Sequence, residues 1–276
     1  MNAEKTDITI RRIAVVLDAS EHSQQALEMA ARLAASLKAE LEGIFVEDID
    51  LIHLAGLPFL REIRLASLVQ ETVSLQRMER ELRAIARRMR QTLELVAHRE
   101  GISCSFRVRR GRVEAELMEA AMEVDVLTLG RPGATLSHRL RLRVRESVIG
   151  AAPRPGERTM PPSVVVTFSG SENAKRALLA AANLAERQAM AITVVIPAVP
   201  DPEARRLQAA AETLLRSQKQ RVSFVRLPGN AVQDLINTVG SCGSQVLIVE
   251  RDNPLVEGDA LWRCLDQVGC PVLLVR

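Results

Sequence analysis

The sequence predicts an α/β protein made of two doubly wound, open parallel sheets with helices on both faces. Three observations carry this. Residues 13–46 (IAVVLDASEHSQQALEMAARLAASLKAELEGIFV) and 164–197 (VVVTFSGSENAKRALLAAANLAERQAMAITVVIP) align without a gap at an offset of 151, which is an internal repeat. In both copies apolar runs of strand length alternate with Ala/Leu-rich segments of helical period. The connections between the runs are too long for hairpins, so neighbouring strands run parallel with right-handed crossovers.

In chain order, strands are expected at 13–17, 41–46, 104–108 and 125–129, then at 163–168, 191–196, 222–226, 245–249 and 271–275. Ser20 and Ser171 occupy equivalent places before the first helix of each half, where an N-cap oxygen meets free amides. Leu27, Ala30, Ala34 and Leu37 supply the buried face of the first helix. The repeat continues as CSFRVRRG (104–111) against VSFVRLPG (222–229), and as DVLTLG (125–130) against QVLIVE (245–250). A long amphipathic helix is expected over 71–99, with a shorter counterpart at about 203–218. Residues 47–70, with Pro58, are an insertion of the first half alone, expected to be a partly helical excursion over one sheet end. Residues 151–162 (AAPRPGERTMPP) carry four prolines and a glycine and mark the boundary, giving expected domains 1–158 and 159–276. The second half ends in CPVLLVR, a clean fifth strand, whereas GERTMPP cannot form one in a core. The first domain therefore lacks its own fifth strand, and its open fourth-strand edge has to be covered by the linker, the other domain or a second chain.

Composition narrows the function. The 276 residues carry 37 Lys+Arg and 34 Asp+Glu, so neither disorder nor a polybasic module is indicated. All but four of the basic residues are arginine, which fits solvated helix faces. Aromatic residues make up 2%, too few for stacking single-stranded bases. No nucleic-acid partner and no membrane partner are expected. There is no apolar run of spanning length and no apolar leader, and a cytoplasmic location is expected. Cys104, Cys242, Cys264 and Cys270 lack CxxC spacing and read as buried thiols. His22, His53, His98 and His138 are too scattered for a metal site. GxGxxG, P-loop and GxSxG patterns are absent, and no nucleophile–base pair stands out.

With these residues in order, the chain resembles a tandem universal stress protein. The resemblance spans both halves and rests on VVLDASEHSQQALEMAARLA, LTLGRPG, and the APRP and CPVLLV endings. It implies a HUP-like (adenine nucleotide alpha hydrolase-like) fold and, in many members, an ATP site. The family's aspartate ending the first strand maps to Asp18, and the backbone ending the second strand to Val46. The phosphate loop G-x2-G-x9-G-[ST] maps to Gly130-Arg131-Pro132-Gly133, but Arg143-Val144, or Leu142-Arg143 when counted back from Ala152-Pro153, stand where the Gly-Ser pair belongs. In the second half Ser169 replaces the aspartate and Glu250-Arg251-Asp252-Asn253 replaces GxxG, so no ATP is expected there. Asp18 also reads as a turn or capping residue, and Gly130 and Gly133 as a tight turn. The segment HRLRLRVRE (138–146) is better a helix with an apolar stripe than a strand with one arginine face.

The leading expectation is a non-enzymatic stress-response binding protein, its halves packed as an internal pseudo-dimer. Its adenine-nucleotide site would be degenerate and confined to the first half: Asp18, Val46, Gly130, Arg131, Gly133 and Arg143, with ATP or AMP as the ligand if there is one. Two alternatives stand beside it: a partner-binding protein with both pockets lost, and a weak nucleotide-hydrolysing enzyme in the first half. The protein partner is not legible, and a homodimer is left open.

Overall fold

The fold is taken from a computed structural model, which describes residues 10–18, 20–56, 61–63, 70–72, 75–130, 162–216 and 218–276. The first half runs β1 (Arg12–Val16), α1 (Glu21–Leu37), β2 (Glu40–Asp48), α2 (Ile49–Ala55), β3 (Arg61–Ile63), β4 (Gln70–Thr72), α3 (Leu75–Glu100), β5 (Cys104–Gly111), α4 (Val113–Glu123) and β6 (Val126–Leu129). The second half runs β7 (Ser163–Thr167), α5 (Glu172–Gln188), β8 (Ala191–Ile196), α6 (Asp201–Leu214), β9 (Val222–Arg226), α7 (Val232–Ser241), β10 (Ser244–Glu250), a 3-10 turn (Pro254–Val256), α8 (Asp259–Gln267) and β11 (Val272–Val275).

The two parallel sheets that the repeat predicts are both present, and they are joined edge to edge. The strand order is β5-β2-β1-β6-β11-β10-β7-β8-β9, a single sheet of nine strands. Its pairings are parallel except β6 with β11, where Val126 to Leu129 run against Val275 to Val272. β11 is also the parallel neighbour of β10, so one fifth strand serves both halves. Of the three covers expected for the open edge of β6, the second half supplies it. The residues of HRLRLRVRE and of the Pro-rich boundary lie outside the described set.

The repeat holds down to single backbone angles. Ser20 caps α1 by accepting from Ser23 N at 3.1 Å, and Ser171 caps α5 by accepting from Ala174 N at 3.0 Å. Lys38 and Ala189, again 151 apart, end those helices in the left-handed region at φ 54° and 50°. Leu27, Ala30 and Ala34 are buried as their spacing predicts. α1 and α5 lie side by side on one face, and a single core of Ile13, Val15, Leu27, Leu178, Val164 and Val246 spans both halves. Leu117, Leu127, Leu235, Leu247, Leu265 and Leu274 form the core of the other face, under α4, α7 and α8.

Several boundaries differ from expectation; the counterpart of the long helix, α6, runs Asp201–Leu214 rather than about 203–218. β2 continues to Asp48 because β5 runs beside it as far as Gly111, extending the ladder. The insertion holds the short helix α2, whose cap Asp48 accepts from Asp50 N at 3.0 Å, and the antiparallel pair β3–β4. That pair takes up residues 71 and 72, so the long helix starts at Leu75 rather than 71. All four cysteines are free thiols; Cys264 and Cys270 are buried, Cys104 and Cys242 only half-buried. Among the described residues no helix is long and apolar enough to cross a membrane.

Candidate functional site

In each half the strand order reverses beside the first strand, and in open α/β sheets the crevice that takes a ligand lies at the carboxyl ends of such a switch point. In the first half it lies between β1 and β6, at the start of α1.

Asp18 follows β1 and anchors the turn into α1. Its Oδ1 accepts from Ser20 N at 2.9 Å and from Ser20 Oγ at 2.5 Å, while its own N–H donates to Ser23 Oγ at 2.9 Å. Ser20 Oγ in turn caps Ser23 N, so Asp18, Ser20 and Ser23 form one network around the helix start. Gly130 ends β6 against that same turn. A Cβ there would lie 2.7 Å from the His22 carbonyl oxygen and 3.1 Å from Ser23 N. Glycine is thus required for β6 to touch the α1 terminus, where free amides favour negative charge.

Val46 enters through its backbone. Leu41 N donates to Ser103 O at 3.1 Å and Ile44 O accepts from Leu17 N at 2.8 Å, so β2 residues turn alternately toward β5 and β1. Val46 belongs to the β1-facing set, and β1 ends at Val16. Its N–H and C=O therefore face the crevice beyond the end of β1. It is not the last residue of its strand, as the sequence implied, but two residues before it. Arg131, Gly133 and Arg143 lie outside the described residues, so Asp18, Val46 and Gly130 are the site residues whose positions are seen together.

Beside Val46 in the register stands Arg109, whose side chain is 10% exposed and contacts Glu116, Glu119 and Glu123 of α4. Its hydrogen bonds hold the Glu123 carboxyl below the usual range, and those bonds and charges raise the guanidinium further above its own. This cluster was missed in the sequence; the Arg-rich run of β5 beside the Glu-rich α4 was the available signal.

The second-half crevice, between β7 and β10, is chemically different. Glu250 stands where the first half has Gly130, and it is 1% exposed. Its Oε2 accepts a short hydrogen bond from Thr167 Oγ1, and its Oε1 has no partner among the described residues. Asn173 Nδ2 donates to Asp252 Oδ1 at 3.2 Å across the mouth. Thr167 was missed in the sequence; a hydroxyl closing the VVV run, where the first half has Val16, was the available signal.

The Universal stress protein family matches residues 9–155, more than half of the chain. The chain belongs to the universal stress protein family. Beyond the matched residues, the second half of this universal stress protein repeats the first half's strand order and adds the shared fifth strand. Among solved structures it is similar to a universal stress protein from Archaeoglobus fulgidus DSM 4304, at 11% identity over 96% of both chains and a TM-score of 0.56. A functionally unknown protein from Pseudomonas aeruginosa PAO1 is 12% identical over 96% of this chain and 92% of its own, with a TM-score of 0.44. The universal stress protein of Archaeoglobus fulgidus in complex with dAMP is 17% identical over 43% of this chain and all of its own, with a TM-score of 0.37. No curated protein matches the chain.

Proposed function

We propose that this universal stress protein is a non-enzymatic stress-response binding protein with one adenine-nucleotide crevice, in the first half. The observation that carries the reading is the Val46 backbone, turned past the end of β1 into the crevice that Asp18 and Gly130 border. A backbone N–H and C=O side by side complement the edge of a purine, and Asp18, which follows β1, is assigned to the sugar. The missing Gly-Ser pair removes close approach and a hydroxyl donor at the outer phosphates. Losing two or three such bonds at roughly 1.5–3 kcal/mol each weakens phosphate binding at least about a hundredfold. Arg143 restores part of that if it turns inward. In the second half the buried Glu250 carboxylate opposes a phosphate outright.

Calorimetric titration with AMP tests this. One site per chain is expected, with affinity at least about tenfold lower in Asp18→Ala and in Gly133→Leu and unchanged in Ser169→Ala. Two sites per chain, or an effect of Ser169→Ala alone, contradicts it. The Asp18–Ser20–Ser23 network favours a second reading, in which Asp18 serves the turn and the protein binds a protein partner without nucleotide. Absence of any AMP or ATP binding selects that reading.

A further inference from the structure

The two halves treat one position differently. In the first half, Phe45 on β2 and Phe106 on β5 pack with Ile52 of α2 and with Leu82 and Ala86 of α3, a closed satellite core. Their repeat equivalents in the second half are Ile196 at the end of β8 and Phe224 on β9. There the insertion has no counterpart: residues 197–200 lead directly into α6, which has 14 residues where α3 has 26. The space that α2 and the extra turns of α3 fill in the first half remains open. It is a cavity of about 250 Å³.

Its walls divide by chemistry. Ile196, Phe224 and Ala204 give an apolar floor, and Arg205, Arg226 and Asp201 stand at the rim. Arg226 is committed to Asp201 by an ion pair and to the Val199 carbonyl. Arg205, four residues along α6, is exposed and has no partner among the described residues. Two guanidinium groups against one carboxylate leave the rim one positive charge in excess. That balance suits a monoanion, and the planar fork of arginine suits a carboxylate. The volume lies below the roughly 300 Å³ at which drug-sized pockets begin.

We propose that this cavity is a second ligand site, which takes a small organic carboxylate with a compact apolar body. The carboxylate pairs with Arg205 at the rim and the apolar body lies on Ile196 and Phe224. The site is separate from the nucleotide crevice and needs no part of it.

Ligand-observed NMR on the full chain tests the proposal with benzoate and hexanoate, against benzamide and hexanamide as neutral counterparts of the same shape. The acids are expected to bind at about millimolar concentration and the amides at least about tenfold more weakly. Arg205→Gln, at an exposed position that leaves folding intact, removes the preference of acid over amide. Ala204→Leu fills the floor and abolishes binding of both, with AMP titration unchanged. Equal binding of acid and amide overturns the proposal. So does failure of both acids to bind, or binding that survives both substitutions.

Discussion

Replacing Gly130 by alanine puts a methyl group into the backbone of another element. The added carbon would sit 2.7 Å from the His22 carbonyl oxygen, 2.9 Å from its carbonyl carbon and 3.1 Å from Ser23 N. Favourable carbon contacts lie at about 3.5–4.0 Å, so the overlap reaches several tenths of an ångström. The atoms it meets are main chain in the first turn of α1, and no side-chain rotation relieves them. Either the end of β6 or the start of α1 has to move, and the second course pulls Ser23 N from Ser20 Oγ. Overpacking of this kind costs about 1–3 kcal/mol, and loss of the cap adds about 1 kcal/mol. Reduced freedom of the unfolded chain returns about 0.4–1 kcal/mol. The expected net loss is about 1–3 kcal/mol, read from urea unfolding of Gly130→Ala beside wild type. A variant as stable as wild type would refute the claim that glycine is there for contact with α1.

Gly240, inside α7, has nothing within 4 Å of a Cβ, so Gly240→Ala should stabilise by about 0.5–1 kcal/mol in the same assay. Thr167→Val removes the hydroxyl that meets Glu250 and should cost about 1–3 kcal/mol, a loss that the double variant Thr167→Val/Glu250→Met should largely recover. Burial pushes the Cys264 thiol up to about 12 and that of Cys270 to about 11, so neither should be alkylated by iodoacetamide at pH 8 in the native protein, as mass spectrometry would show. Because both folded values exceed the ordinary 9.0, their contribution to stability is complete below pH 9 and is lost as pH rises through 11 and 12. Unfolding midpoints should therefore fall above pH 9.

The repeat made most of the fold legible. An ungapped offset carried the caps Ser20 and Ser171, and the missing strand after Gly130 implied a covered edge on β6. That one strand, β11, serves both halves was not legible, because edge pairing joins residues about 150 apart through the backbone and leaves no side-chain signature. The insertion was read as partly helical, but its β3–β4 pair is three residues a side, too short for a clear alternation. At the site, Asp18 and Gly130 were visible as residue types at expected places, whereas Val46 acts through main-chain direction, which depends on where β1 stops. The Thr167–Glu250 contact was half legible. Glu250 stood out as a carboxylate in a glycine's place, but its partner lies 83 residues away on another strand.

The most direct measurement compares ATP, AMP and adenosine by titration calorimetry on the full-length protein. A crevice that holds base and sugar through Val46 and Asp18, with half of its phosphate cradle missing, predicts one site per chain and three affinities within about tenfold of each other. ATP binding more than about a hundredfold tighter than adenosine would contradict the account, because the outer phosphates would then have a seat that neither half's residues provide.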